Sequence, residues 1–213
     1  VTSMDRKTRD RFAARTQADL TGGNACLETP RPMFEAIRDR LGPFDLDLTA
    51  DAKRHHCPRW FGPGSPLNEF DALEAFWPSY GQSGFSNPPY GPFVQEILLW
   101  ALTMSREGFT SVFLLPMRVT QSFRTIIIPH ASDLLFCDAR IPFFENGLPR
   151  LNERVWLEEG KARADGAMFD SIVVRFGPGH HGGPRVGEFA VPDCVTTEDL
   201  ERAAELRRQK GVL

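Results

Sequence analysis

Residues 92–116, PFVQEILLWALTMSREGFTSVFLLP, join a helix pattern directly to the pattern of a buried strand. In the first part, PFVQEILLWALTMSR at 92–106, apolar residues recur at helical spacing, and Pro92 is compatible with a first helical turn. The second part, TSVFLLP, is a short apolar run between Gly108 and Pro116, which is typical of a strand covered on both faces. A helix that returns the chain to such a strand is the building unit of a parallel α/β sheet.

The rest of the chain repeats this alternation. Residues 29–42 show helical spacing, with Thr29 as the expected N-cap and Gly42 as the stop. Alternating apolar and polar residues predict a strand at 44–49. Further predicted elements are strands in SGFSNPPY, SDLLFCDARIPF and MFDSIVVRF, a short helix in SFRTIIIPHA, a loop in GPGHHGGPRVG, and a polar C-terminal helix capped by Thr196 or Thr197. The predicted fold class is α/β, with a mostly parallel sheet and flanking helices.

The sequence divides into three parts. Residues 1–23 form a polar, arginine-rich arm that we expect to be flexible; its composition occurs both in solvated surfaces and in tails that contact DNA. Residues 24–178 hold the predicted α/β domain, in which the polar stretch 144–166 interrupts the strand pattern. Residues 179–213 are predicted to form a loop and the C-terminal helix.

Composition narrows the function classes. Hydrophobic residues make up 41% and charged residues 25%, as in ordinary globular proteins. No apolar run is long enough to span a bilayer and no signal-peptide pattern is visible, so we expect a cytoplasmic protein without membrane contact. With a net charge of -3, binding to a nucleic-acid backbone requires local basic patches. The cysteines are widely spaced, as expected for reduced thiols: Cys26, Cys57, Cys137 and Cys194.

Residues 87–90, Asn-Pro-Pro-Tyr, form a stiff tip after a predicted strand. Because Asn87 and Pro88 each precede a proline, both favour an extended backbone. Pro88 and Pro89 have fixed φ angles and no N–H, so the tip offers acceptors and few donors. The Asn87 side-chain oxygen and the Pro88 carbonyl are predicted to point the same way, with the Tyr90 ring beside them.

This tip suits a planar ring that carries an exocyclic amine. Such an amine is a poor nucleophile because its lone pair is delocalised into the ring. Two acceptors on its hydrogens favour a pyramidal nitrogen with an outward lone pair, and an aromatic face holds the ring by stacking. If an electrophilic methyl group lies in line, positioning supplies most of the rate and no strong general base is needed. A proline-rich turn without function is the alternative interpretation.

Two predicted strand ends carry polar residues, at 45–51 and 87–90, and ligands of parallel α/β sheets bind beyond such ends. Asp45, Asp47 and Asp51 are compatible with a divalent-metal cluster, but no downstream Glu-x-Lys arrangement accompanies them. We therefore predict no metal. Two other clusters are interpreted as polar loop and solvent-exposed loop because no partner ligands occur at zinc spacing: His55, His56 and Cys57, and His180 with His181.

The ordered set of motifs resembles the phage-type DNA N6-adenine methyltransferases, small Dam-like enzymes that use S-adenosylmethionine. The resemblance covers about residues 28–176. ETPRPMF resembles the family's Thr-Pro opening of the cofactor pocket, FDLDLTAD its Leu-Asp-Pro-x-Ala segment, and CPRWF followed by DALEAFWP its Asp-Gly-Leu…Trp stretch. GFSNPPYGPF resembles the catalytic loop, and FLLPMRVTQSF and DARIPF resemble two later elements. Leu48 and Ala72 stand where the family tends to have Pro and Gly, and Ala72 affects how closely the backbone approaches the cofactor.

The resemblance implies a Rossmann-like fold and individual roles. Asn87 and Pro88 would accept hydrogens of the target adenine amine, Pro89 belongs to the same catalytic loop, and Tyr90 would stack on the base. Phe93 would be a second stacking wall. The implied cofactor-binding residues are Thr29, Pro30, Asp47, Ala50 and Asp71.

Contacts to DNA are predicted outside the loop. Arg118 and Arg140 are the expected substrate-binding arginines, and Arg124 and Arg150 are further candidates for phosphate contacts; each is equally compatible with ordinary surface. Residues 144–166 are the expected recognition segment, and the lack of a separate recognition domain predicts a short or degenerate target. The substrate would be double-stranded DNA with one base flipped out.

The predicted function is therefore transfer of a methyl group from S-adenosylmethionine to adenine N6, in an enzyme of phage or prophage origin that shields DNA from restriction. The loop motif also occurs in methyltransferases that act on protein glutamine or on RNA guanine amines. Methylation of cytosine N4, RNA or a protein amide is thus an alternative. A phage protein that only binds host DNA or a host enzyme is an alternative of a different class.

Overall fold

The computed structural model describes residues 27–67, 71–152, 155, 162–167 and 169–209. The predicted N-terminal arm at 1–23 lies outside the described residues, as does part of the predicted recognition segment. The strands of the described part are β1 Leu46–Asp47, β2 Arg59–Trp60, β3 Ser83–Ser86, β4 Thr110–Pro116, β5 Asp133–Cys137, β6 Phe144–Glu145, β7 Leu148–Pro149, β8 Ser171–Phe176 and β9 Arg185–Phe189. The helices are α1 Arg31–Leu41, α2 Pro92–Arg106, α3 Ile128–His130 and α4 Thr197–Gln209, with a 3-10 turn at Trp77–Ser79 and a π-helical turn at Phe123–Ile127.

Seven strands form one sheet in the order β2-β1-β3-β4-β8-β5-β9. Neighbours pair in parallel except at β8, which runs antiparallel to both β4 and β5. Strands β6 and β7 form a separate hairpin. The predicted α/β class with a mostly parallel sheet is confirmed.

The strand order reverses at β1. From β1 the chain adds β2 on one side and then crosses to β3 on the other side. In open α/β sheets, the carboxyl ends of two strands at such a reversal flank a crevice that binds ligands. The ends of β1 and β3 therefore mark the expected position of a site, and both carry the polar residues singled out in the sequence.

Two apolar clusters cover the two faces of the central strands. In β4, Phe113 and Leu115 pack in the cluster that includes α2, whereas Val112 and Leu114 pack in the cluster that includes α1. Because side chains alternate along a strand, α1 and α2 lie on opposite faces of the sheet. Cover on both faces explains why β4 is apolar throughout.

Two predictions near the start of the chain were wrong in detail. Thr29 is not an N-cap, because α1 begins at Arg31 after Pro30, and no side chain caps it. The strand predicted at 44–49 is reduced to β1, and the residues at and after it, 46–48, are all buried. Alternation of apolar and polar residues was misleading there because both faces of the sheet are covered.

The C-terminal part extends the same sheet. The segment GPGHHGGPRVG was predicted as a loop, but Arg185 begins strand β9, which pairs with β5. The residues of that segment that enter the strand, 185–187, are exposed or half-buried, so they show no apolar strand pattern. The predicted helix α4 is confirmed, and its cap is Thr196, whose Oγ1 accepts from the Asp199 N–H at 3.1 Å. Helix α4 packs against the hairpin through Ala203, Ala204 and Leu148. The division of the chain at residue 178 stays a prediction.

None of the helices within the described ranges is both long enough and apolar enough to cross a bilayer.

Candidate functional site

Hydrogen bonds join the residues that follow β1 to the last two residues of β3. The Leu48 N–H donates to the Phe85 carbonyl at 2.7 Å. One step further, the hydroxyl groups of Thr49 and Ser86 share a hydrogen bond of 2.6 Å. These contacts hold the segment after Asp47 beside the segment that begins with Asn87. Neither hydroxyl was predicted as part of the site, although each lies next to a predicted residue.

Asp47 is a buried carboxylate at this edge, with 4% of its surface exposed. Its oxygens accept hydrogen bonds from the backbone N–H of His56 at 3.1 Å and of Thr49 at 3.4 Å. Burial outweighs these donors and raises the pKa of Asp47 to about 6. Within the part of the chain described, no lysine or arginine forms an ion pair with it. Among the described residues this acid therefore has no lysine or arginine as a counter-charge, and the His55 charge lowers its pKa less than burial raises it.

Ala50 follows on a tightly fixed backbone. Its N–H donates to the Phe61 carbonyl at 3.1 Å. Gly62 has φ +136°, and a Cβ atom there would lie 1.9 Å from the Ala50 carbonyl oxygen. Only glycine permits this approach of two backbone segments. The predicted cofactor-binding residues Asp47 and Ala50 therefore lie on one short, rigid segment.

The Asn87 side chain is held at both ends. Its Nδ2 group donates to Thr29 Oγ1 at 3.1 Å and to the Leu27 carbonyl at 3.3 Å. Its Oδ1 accepts from the Tyr90 hydroxyl at 3.1 Å. Pro88 is buried and Pro89 half-buried. The structure thus brings Thr29 together with the Asn-Pro-Pro-Tyr tip, although it lies 58 residues away in the chain.

Tyr90 packs against an aromatic residue that the sequence did not reveal. The Phe169 ring meets it in a T-shaped contact with 5.4 Å between centroids, and Phe143 lies 6.5 Å from Phe169. The Arg118 guanidinium lies over the Phe169 ring at 5.8 Å. Burial raises the pKa of the Tyr90 hydroxyl, and the Arg118 charge acts in the opposite direction. No local pattern marks Phe169, because its role depends on where β8 begins in the sheet.

The other residues predicted to bind substrate or cofactor lie in different surroundings. Arg140 is exposed, and its Nε lies 3.4 Å from Asp170 Oδ1, so Arg118 and Arg140 contact consecutive residues before β8. Phe93 is half-buried and packs against the α2 side of the core. Pro30, a predicted cofactor residue, is buried just before α1. Of the further candidates, Arg150 lies 3.9 Å from Glu145 within the hairpin.

Asp71 begins a turn on the α2 side of the sheet. Its Oδ1 accepts from the Leu73 N–H at 2.8 Å, and its carbonyl accepts from Glu74 and Ala75. Burial, and then the nearby Asp71 charge, raise the pKa of Glu96 on α2. The predicted contact of Asp71 with the cofactor stays a prediction.

The aspartates and histidines considered as metal ligands have separate partners. Asp45 accepts from the Gln82 N–H at 2.7 Å, and Asp51 pairs with Arg54. The His56 ring stacks on Phe34 with 4.5 Å between centroids, and burial lowers the pKa of His56 to about 4. Among the residues that the structure describes, no three His, Cys, Asp or Glu side chains are grouped so as to hold a metal ion.

Two comparisons with known proteins bear on this arrangement. A comparison with curated protein sequences gives no significant match. The family model described as DNA N-6-adenine-methyltransferase (Dam) matches residues 23–169. This range includes the ends of β1 and β3, the Asn-Pro-Pro-Tyr tip and Phe169. Because the match covers most of its length, the chain belongs to the Dam family of DNA N-6-adenine methyltransferases.

Proposed function

We propose that this protein transfers a methyl group from S-adenosylmethionine to N6 of an adenine that has been flipped out of double-stranded DNA. The fold would be Rossmann-like, and the enzyme would act in the cytoplasm of a bacterial host. The observation that carries the proposal is the Asn87 side chain. Its amide nitrogen is occupied by Leu27 and Thr29, so its oxygen is the atom available to accept a hydrogen from an amine.

The tip supplies acceptors for the two amine hydrogens. Asn87 Oδ1 accepts one hydrogen bond, from Tyr90, and an amide oxygen has a second lone pair for a substrate amine. The Pro88 carbonyl is the proposed acceptor for the other hydrogen. The Tyr90 ring provides a stacking face, and Phe93 is proposed as a second wall. Together these groups would pyramidalise N6 and aim its lone pair, with positioning as the main source of rate.

The cofactor site would lie beside the end of β1. S-adenosylmethionine carries an ammonium group and a sulfonium group, and the sulfonium supplies the transferred methyl. The buried Asp47 carboxylate has backbone donors and, within the described ranges, no lysine or arginine partner, so it fits a cationic ligand of this kind. Thr29, Pro30, Ala50 and Asp71 are the other residues proposed to hold the cofactor.

The DNA would approach the carboxyl edge of the sheet. Arg118 and Arg140 are the proposed phosphate or wedge contacts, because they contact Phe169 and Asp170 just before β8, and Phe169 packs against Tyr90 of the tip. The segment 144–166, which includes the β6–β7 hairpin, is the proposed recognition element. Flipping a base costs about a few kcal/mol, which the tip and these contacts must offset. We propose a phage or prophage origin and protection of DNA from restriction as the biological role.

The test is nucleoside mass spectrometry of DNA from a methylation-free bacterial host that expresses the chain, with Asn87→Ala as the matched control. N6-methyladenine in the wild type and its absence in the variant are expected. Detection of N4-methylcytosine instead would mean that the substrate is cytosine and not adenine. If DNA stays unmodified, calorimetry with S-adenosylmethionine distinguishes a methyltransferase with an RNA or protein substrate, which binds it, from a protein that only binds DNA or a host enzyme.

A further inference from the structure

The orientation of an asparagine side chain decides what it presents to a substrate. If the Asn87 amide rotated by half a turn, it would present an NH2 group, which repels the hydrogens of an amine. The tip is therefore competent only if the amide oxygen faces the substrate. The Asn-Pro-Pro-Tyr sequence does not enforce this choice, since the tip residues can hydrogen-bond either end of the amide.

The choice is made by a different part of the chain. The Leu27 carbonyl, 3.3 Å from Nδ2, can only accept, so it favours the NH2 group and opposes the amide oxygen. Thr29 Oγ1, 3.1 Å from the same nitrogen, provides an acceptor for the second N–H. Thr29 is only 5% exposed, so water does not readily replace it as a partner. Both protons of the amide nitrogen thus have acceptors away from the substrate side.

Segment 27–29 is in turn held by the β6–β7 hairpin. Glu28 and Phe144 exchange two backbone hydrogen bonds, of 2.8 and 3.0 Å. The Glu28 carboxylate also accepts from the Gly147 N–H at 3.1 Å. Residues 146 and 147 both have positive φ angles, as the turn of this hairpin requires. The acceptors that face Asn87 therefore have a fixed position relative to the hairpin.

We propose that segment 27–29 is a positioning element, in which the Leu27 carbonyl and the Thr29 hydroxyl orient the Asn87 amide with its oxygen toward the substrate amine. This inference rests on the proposed function, because it assigns a purpose to the orientation. It also adds to the role of Thr29, which acts through Asn87 whether or not it contacts the cofactor. Position 87 then requires an amide, because an ionised carboxylate would face the Leu27 carbonyl oxygen and be repelled by it.

The first experiment compares Thr29→Val with Thr29→Ser. Valine has a similar shape but no acceptor, so kcat should fall by about five- to tenfold, as for the loss of one hydrogen bond. Serine restores the acceptor and should recover most of the loss. Both variants are assayed at saturating S-adenosylmethionine, so that the fall in kcat is separated from any change in Kd caused by the proposed cofactor contact of Thr29. Thr103→Val, which removes an exposed hydroxyl that donates to the Leu99 carbonyl on α2, is the control. A weaker Kd with an unchanged kcat would show that Thr29 only binds the cofactor.

The second experiment is the pH profile of Asn87→Asp. A protonated carboxyl can donate to the Leu27 carbonyl and keep an acceptor toward the substrate. An ionised carboxylate cannot donate, so kcat should fall by about tenfold per pH unit above the pKa of the new acid, while the wild-type profile stays flat. Parallel profiles for the two proteins would overturn the proposal.

A third readout does not depend on activity. In 15N-labelled wild type, the Asn87 side-chain NH2 protons should exchange slowly with solvent, and Thr29→Val should accelerate their exchange by about fivefold or more. Fast exchange in the wild type would overturn the positioning role even if DNA is methylated. Slow exchange without DNA methylation would leave the positioning geometry intact and refute the proposed function.

Discussion

The hydroxyl groups of Thr49 and Ser86 lie 2.6 Å apart and connect the ends of two parallel strands. Ser86 is fully buried, and Thr49 is half-buried. The bond lies between the predicted cofactor segment and the predicted catalytic tip. It therefore links two parts of the site that are 37 residues apart in sequence.

We predict that Thr49→Val and Ser86→Ala are coupled. Each single substitution leaves one hydroxyl without its partner and should lower the free energy of unfolding by about 1–2 kcal/mol. The double variant leaves no unpaired hydroxyl at this position and should lose less than the sum of the two. Urea denaturation of the four proteins measures the coupling energy, and additive losses would show that the bond contributes nothing.

Asp47 should make stability depend on pH. Its pKa rises from 3.8 to about 6 on folding, so the unfolded chain releases this proton at lower pH than the folded chain. Protonated Asp47 therefore stabilises the folded state below about pH 4, and this stabilisation is lost as pH rises to about 6. Relative to Asp47→Asn, the wild type should lose on the order of 2 kcal/mol between pH 4 and pH 7. Denaturant titrations at both pH values measure the free energy of unfolding of each protein. If the difference between the two proteins were the same at both pH values, the prediction would be wrong.

The same carboxylate should make cofactor affinity depend on pH. Because only ionised Asp47 attracts a cation, the Kd for S-adenosylmethionine should rise as pH falls below about 6, by up to about tenfold per unit. Calorimetry at pH 5, 6 and 7.5 tests this. Asp47→Asn should bind weakly at every pH, whereas Asp45→Asn, which alters an aspartate bonded to Gln82 and Ser83, should keep the wild-type dependence.

The aromatic contact beside the tip should matter for methyl transfer rather than for cofactor binding. Tyr90→Ala removes the stacking face and should abolish measurable transfer, as should Asn87→Ala. Phe169→Ala removes only the T-shaped support of Tyr90 and should lower kcat/KM by about three- to tenfold, in line with the energy of an aromatic pair. Cofactor affinity should survive in all three variants. If Tyr90→Ala transferred the methyl group at the wild-type rate, the proposed role of the tip in catalysis would be wrong.

Local regularities in the sequence were sufficient for much of the fold. The predicted helix at 92–106 and strand at 110–116 have the observed bounds, and the stiff tip follows a strand as expected. The Asn-Gly pair at 146–147 is a turn signal that the sequence shows directly, and both residues have positive φ angles in the β6–β7 hairpin. Helical periodicity, restricted proline dihedrals and turn chemistry act over a few residues, so they can be recognised without the tertiary structure.

Other features depended on contacts between distant segments. Thr29 was expected to cap a helix, but it instead bonds to Asn87, because the β6–β7 hairpin holds residues 27–29 against the tip. The contact between Phe169 and Tyr90 exists because β8 inserts between β4 and β5. Asp47 owes its raised pKa to burial, which no neighbouring residue in the sequence reveals.

The chain alone therefore determined which chemical groups are present and how stiff the tip is. Strand order, register and desolvation decided which groups meet and how they are charged, since each depends on the packing of the whole sheet.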